Sequence, residues 1–313
     1  MCWPHFSSQI VKEQQQFAKQ NLPTHYNDYN VEEWNTDKLW KGISDNSIDI
    51  EEITFVGGEP TLHDEMYELL EQLVVTGVSK NIRLKITTNL TNLQTRFLDL
   101  FDKFKTVVIN GSIDGVGNTN EYIRHPSDWN TIERNIDLIL ETNALLNLTP
   151  VIQIYNIFKI DELVKWYTNK WIEKELCDKF ILDLDLLYDP NYLSVKLLNT
   201  HGKETWYWNV YTPTIEYLDS IIKNIEIQSK KVQNYWKVLD TLRTRLVNIA
   251  LYTEAIGYDD NGKLQYWFAK STVENVKSLR QQCIDYTSQL DTYRKQSVYD
   301  IIPNFKEIIN DST

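Results

Sequence analysis

The feature that most constrains this chain is an alternation between about residues 53 and 187. Short runs rich in β-branched residues take turns with longer segments whose apolar residues recur at helical spacing. Ile53-Thr54-Phe55-Val56 is strand-like and is stopped by Gly57-Gly58. Residues 64–77 read as a helix, because Met66, Leu69, Leu70, Leu73 and Val74 fall on one face and Gly77 can end it. Strands over 82–88, 106–113, 149–155 and 180–187 follow, separated by helices over 95–104, 129–142 and 161–174. Strands spaced by helices of this length imply βαβ units and parallel pairing. A doubly wound sheet and a barrel both satisfy the pattern. Two helices over 7–20 and 36–47 precede it. After about residue 195 the alternation stops, and residues 205–255 and 272–313 read as mainly helical. This places a boundary near 195, with residues 1–195 as one domain and 196–313 as a helical C-terminal region.

In parallel α/β sheets, ligands sit at the carboxyl ends of the strands, so the residues there are the candidates. The first strand ends in Gly57-Gly58-Glu59-Pro60: two glycines that let a ligand approach the backbone, and a carboxylate able to accept from an ammonium group. The second ends in Thr87-Thr88-Asn89, the third in Ser112-Ile113-Asp114-Gly115, and the fourth near Gln153, Tyr155 and Asn156. Each motif alone is ordinary turn chemistry. Their recurrence at successive strand ends favours a site.

The run as a whole resembles the radical S-adenosylmethionine (SAM) family. Phe55-Val56-Gly57-Gly58-Glu59-Pro60 is similar to the Gly-Gly-Glu motif with which that family holds the amino group of SAM, and Thr87-Thr88-Asn89 and Ser112-Ile113-Asp114-Gly115 are similar to its next two strand ends. The start, Met1-Cys2-Trp3-Pro4 with Ser7-Ser8, resembles the close of the loop whose three cysteines hold a [4Fe–4S] cluster in twitch-domain or SPASM-like members, a type often found in phage genomes. The stretch 290–309 resembles the end of that subgroup. The resemblance implies an α/β fold: a partial (β/α)6 barrel of TIM type, lacking its first strand and followed by the helical region. It implies Cys2 as a cluster ligand, Gly57, Gly58 and Glu59 at the amino group, Ser112 and Asp114 at ribose or carboxylate, Arg124 at the carboxylate and Asn89 at ribose or substrate. The implied chemistry is reductive cleavage of SAM to a 5′-deoxyadenosyl radical that takes hydrogen from a substrate, a peptide or protein by analogy. The implied partners are SAM, that substrate, and an electron donor such as flavodoxin or ferredoxin. No catalytic residue in the narrower sense is identified.

Only three cysteines are present, Cys2, Cys177 and Cys283, too scattered for a disulfide framework. The last two do not replace the two missing loop cysteines by spacing, so the expectation is a chain truncated at its amino end that does not hold an intact cluster by itself. A degenerate barrel serving as a non-catalytic binding module is the main rival. An unrelated hydrolase or transferase is disfavoured, since neither G-x-S-x-G nor G-x-x-x-x-G-K occurs. The net charge of −12 argues against strong non-specific nucleic-acid or anionic-lipid binding. No apolar run is long enough for a membrane helix, and the expected location is the cytoplasm. Asp183 and Asp185, two apart on the last strand, point either into the barrel mouth or to solvent. His25, His125 and His201 form no metal spacing; His5, three residues beyond Cys2, is a lesser candidate iron ligand, and His63, just beyond Pro60, faces either the site or solvent at a helix start.

Overall fold

The computed structural model describes residues 37–45, 47–174, 179–228, 232–259, 261–266 and 273–310, together with residues 12, 13, 15, 16 and 19. Cys2 and Cys177 lie outside the described residues, as do His5, His25 and most of the helix expected over 7–20. The chain divides into two compact units: Met1–Ser112 with Asn130–Leu148, and Ile113–Trp129 with Thr149–Thr313.

In the first unit, helix α1 (Asp37–Asp45) precedes strand β1 (Glu52–Phe55), helix α2 (Asp64–Val75), strand β2 (Arg83–Thr88), helix α3 (Thr95–Leu98) and strand β3 (Thr106–Gly111). The second unit interposes helix α4 (Asn118–Ile123), and the first resumes with helix α5 (Trp129–Leu140) and strand β4 (Leu145–Leu148). Strands β1, β2, β3 and β4 pair in that order, all parallel, with Ile53 opposite Leu84, Leu84 opposite Val107, and Ile109 opposite Leu146. The α/β class with parallel strands and a helical C-terminal region, expected from the sequence, is what the fold shows.

Local chemistry explains the elements. Asp64 and Glu65 sit in the first turn of α2, where carboxylates favour the helix dipole. Gly77, at φ 78°, ends it, with its N–H donating to Val74 O at 3.0 Å. The helix buries Met66, Tyr67, Leu69, Leu70 and Leu73. At about 1.5–3 kcal/mol per buried large apolar side chain, that face holds α2 to the sheet. β3 buries Val107, Val108 and Ile109 in succession, the pattern of a strand covered on both faces.

The second unit continues with the short parallel pair β5 (Val151–Ile152) and β7 (Asp185–Leu186), helix α6 (Ile160–Glu173), and strand β6 (Phe180–Leu182). Helices α7 (Thr200–Trp206), α8 (Thr212–Gln228) and α9 (Val232–Tyr252), the antiparallel hairpin β8 (Ile256–Tyr258) and β9 (Leu264–Tyr266), and helices α10 (Val276–Arg294) and α11 (Phe305–Ile309) complete it.

Several boundaries differ from the sequence reading. The strand expected over 149–155 begins earlier, at Leu145, and is interrupted at Thr149-Pro150, where proline has no N–H to give the ladder. The helix expected over 95–104 is α3 followed by a 3-10 turn, Phe101–Lys103. The strand expected over 180–187 splits at Asp183-Leu184. Asp183 pairs with Arg245 Nε at 2.8 Å, and Asp185 is exposed and accepts from the Leu186 N–H at 2.8 Å. Both carboxylates are thus occupied locally at the surface.

Candidate functional site

In the first unit, the end of β1 turns through Gly57 at φ 83° and Gly58 at φ 47°, left-handed conformations that side chains resist. Glu59 then caps a single 3-10 turn, Pro60–Leu62. Its Oε1 accepts from Thr61 Oγ1 at 2.7 Å and from the Thr61 N–H at 3.3 Å, while Oε2 accepts from the Asn89 N–H at 2.7 Å. Glu59 is 8% exposed. Its carboxylate therefore joins the tips of β1 and β2. The Ser112 N–H donates to Thr88 O at 2.8 Å, carrying the pairing of β2 and β3 one residue further. Glu59, Asn89 and Ser112, picked out by sequence, thus lie at adjoining strand ends.

The neighbours fix this rim. Asn89 Oδ1 accepts from the Thr91 N–H and hydroxyl at 2.9 and 2.6 Å, which leaves its Nδ2 without a partner among the described residues. Leu90 adopts φ 63°, an uncommon state for a branched side chain. Its carbonyl is held by buried Asn135 Nδ2 at 2.8 Å. Gly111 has no room for a side chain, because a Cβ there would lie 2.7 Å from both Leu148 Cδ2 and Leu90 Cδ1. Ser112 is half-buried, and its hydroxyl has no partner among the described residues.

In the second unit, Asp114 is a hub. It is 1% exposed. Its Oδ1 accepts from the Val151 N–H at 2.9 Å, and its Oδ2 lies 2.8 Å from Arg124 Nε. Its own N–H donates to Asn120 Oδ1 at 2.9 Å, and its carbonyl accepts from Asn156 Nδ2 at 2.8 Å. Asn156 Nδ2 also donates to Val151 O at 2.9 Å, and its Oδ1 accepts from the Gln153 N–H at 2.7 Å. Asp114, Arg124 and Asn156 are therefore brought together. The Arg124 contact is an ion pair rather than an aligned hydrogen bond: Nε is buried and finds no acceptor in its N–H direction. The two terminal guanidinium nitrogens have no partner among the described residues, so a fork remains for an anion.

Two buried amides carry no strong sequence signal. Asn120 and Asn135 are buried amides inside helices, where an Asn reads as surface. Gln153 is fully buried, and neither Nε2 nor Oε1 has a partner among the described residues. An amide left so costs about 1–3 kcal/mol. Cys283 is also fully buried, and burial pushes its thiol up to about 12. His63 follows the Glu59 turn and is exposed. Among the described residues no group of three or more His, Cys, Asp or Glu could hold a metal ion, and no helix is long and apolar enough to cross a membrane.

Comparison with known proteins bears on these residues. No curated protein matches the chain. Among solved structures, native anSMEcpe with bound AdoMet and the Cp18Cys peptide aligns at 17% identity and a TM-score of 0.41, over 61% of this chain and 58% of that one. SuiB of Streptococcus suis, bound to S-adenosylmethionine, aligns at 17% identity and 0.40, over 64% of this chain and 43% of that one. TsrM of Kitasatospora setae, a radical S-adenosylmethionine methyltransferase with cobalamin and a [4Fe–4S] cluster bound, aligns at 13% identity and 0.35, over 48% and 29%. The chain thus spans less than two thirds of each of these proteins. Residues 29–167 match the family described as the Radical SAM superfamily, a segment that holds the strand ends at Gly57, Asn89, Ser112 and Asp114. Over residues 29–167, a little under half of its length, this chain is therefore similar to the radical SAM superfamily.

Proposed function

We propose that the chain binds S-adenosylmethionine through its strand-end residues, as the cofactor-binding part of an enzyme that uses SAM as a radical source on a peptide or protein. The observation that supports this reading best is the Glu59–Asn89 bond, with two positive-φ glycines immediately before it. That turn exposes peptide groups while the carboxylate holds the neighbouring strand end in register. In the first unit, the Gly57 and Gly58 peptide groups take the amino group of SAM. Glu59 fixes the turn and adds negative potential, and Asn89 Nδ2 and Ser112 Oγ face ribose. In the second unit, Arg124 takes the carboxylate and Asp114 holds Arg124 in place.

In the first unit, glycine peptides with amide and hydroxyl groups suit an ammonium group and a ribose; in the second, a cationic fork suits a carboxylate. The described residues do not fit an iron–sulfur cluster. Among the described residues the one cysteine is Cys283, which is fully buried with its thiol pushed up to about 12, so these residues offer no thiolate to iron. This chain's residues bind the nucleotide, orient its amino-acid end and exclude water. The division near residue 195, the twitch-type ancestry, the electron donor and the cytoplasmic location stay with this proposal.

Calorimetric titration with S-adenosylmethionine tests the reading. The wild-type chain is expected to bind. Arg124→Met should weaken binding by roughly 10–100-fold, the worth of charge-assisted hydrogen bonds. No measurable binding to the wild-type chain at millimolar SAM would refute it. Binding of SAM without production of 5′-deoxyadenosine under reducing conditions, even with a cluster-bearing partner, would favour the non-catalytic binding module.

A further inference from the structure

The arginine fork stands next to an element too short to hold itself in place. Helix α4 has six residues, and Arg124 is the residue that caps it, with its N–H on Asn120 O at 2.8 Å. Helices shorter than about 12–15 residues are marginal in water, so the position of Arg124 depends on what grips α4 from outside. On one side that is Asp114, through Asn120, and the close approach of Gly115, where a Cβ would lie 2.7 Å from Thr119 Cγ2. On the other side it is helix α10, far along the chain.

Two α10 residues one turn apart make that grip. Tyr122 Oη donates to Asp291 Oδ1 at 2.8 Å, and Arg294 Nη1 donates to Tyr122 O at 2.9 Å. Tyr122 is thus held at both its side chain and its carbonyl, two residues before Arg124. Asp291 Oδ2 accepts from the Val298 N–H at 3.0 Å, which fixes the carboxylate from behind. Tyr122 is 3% exposed, and burial beside Asp291 raises its phenol well above the usual range, so it stays a donor. Its ring meets Tyr155 edge-on at 5.3 Å, and Tyr155 Oη shares a 2.8 Å bond with Thr287, also on α10. The same helix therefore braces the segment after β5 that carries Asn156, a partner of Asp114.

We propose that Asp291 and Arg294 are positioning residues for the anion site at Arg124, and that this is what the helical C-terminal region contributes to cofactor binding. The inference rests on the reading of Arg124 given above. Neither residue touches the ligand. Each acts by fixing the short helix that presents the guanidinium.

The test compares S-adenosylhomocysteine with 5′-methylthioadenosine, which keeps the nucleoside and thioether but lacks the amino acid. Tyr122→Phe and Arg294→Met should each weaken S-adenosylhomocysteine by ~10-fold, the usual size of a lost supporting contact, and change 5′-methylthioadenosine by less than about 2-fold. Arg294→Lys, which can still donate to Tyr122 O, should recover most of the loss. In an Arg124→Met background, neither substitution should weaken S-adenosylhomocysteine further, because the route runs through that arginine. Equal losses for both ligands, no loss for either, or a loss that persists without Arg124 would overturn the proposal. Should a substituted chain fail to fold, Asp291→Asn gives the same comparison with smaller perturbation. If the wild-type chain binds S-adenosylhomocysteine no better than 5′-methylthioadenosine, the reading of Arg124 itself falls, and this inference falls with it.

Discussion

At the scale of single residues, the carboxylates that the sequence offers as ligands also hold other residues in position. Glu59 spends both oxygens on Thr61 and Asn89, and Asp114 spends both on Val151 and Arg124. The motifs were legible together, because turn residues that are ordinary singly recur at successive strand ends. The partners were not, because a hydrogen bond between residues 30 apart leaves no mark on local spacing. Glu59→Ala should lower unfolding free energy by about 1–3 kcal/mol in urea titration, since it orphans the Asn89 N–H. Glu59→Gln keeps one acceptor for that N–H and should cost less. Gln153 makes the opposite case. Its buried amide bonds nothing among the described residues, so Gln153→Met should leave stability unchanged or raise it by about 1 kcal/mol. A melting temperature lowered by several degrees would show that the amide does have a partner.

At the scale of elements, the long periodic segments were readable and their interruptions were not. Helix α2 matches its expected apolar face residue for residue, apart from Val74, which is only half-buried. Strand β4 was placed late because Leu145-Leu146-Asn147-Leu148 is leucine-rich and carries no β-branched residue, so local propensity points to helix while the parallel pairing to β3 decides. The β8–β9 hairpin was left unassigned, although Asn261-Gly262 marks it. The Asp259 carboxylate accepts from the Asn261 and Lys263 N–H groups at 3.0 and 2.8 Å, and Gly262 takes φ 74°. Gly111 was not singled out, though it closes β3 against Leu90 and Leu148. Gly111→Val should destabilise by about 1–3 kcal/mol, because both contacts are side chains of a packed layer. A neutral result in denaturant titration would mean that Leu90 can move, and with it the rim beside Asn89.

At the scale of the whole molecule, two consequences follow from what is buried. Burial pushes Tyr67 and Tyr211 up to about 12, and Cys283 likewise. A folded pKa above the unfolded one gives stability that is complete below the unfolded value and is lost as pH rises through the folded one. The chain should therefore lose stability between about pH 9, where an unfolded thiol and then phenols begin to ionise, and pH 12. A urea midpoint that is flat from pH 8 to 11 would contradict this. The cysteines set a second limit. With three cysteines, of which Cys283 is buried in α10 and Cys177 has no ligand spacing to Cys2, anaerobic reconstitution of this chain should yield well under one [4Fe–4S] cluster per molecule by iron and sulfide assay. The central claim is that the strand tips, and not the helical region itself, receive the nucleotide. Hydrogen–deuterium exchange with and without S-adenosylhomocysteine tests this most directly. Peptides covering residues 57–61, 88–92 and 111–116 should gain protection. Protection confined to the hairpin or to residues 200–252, with those three segments unchanged, would contradict the account.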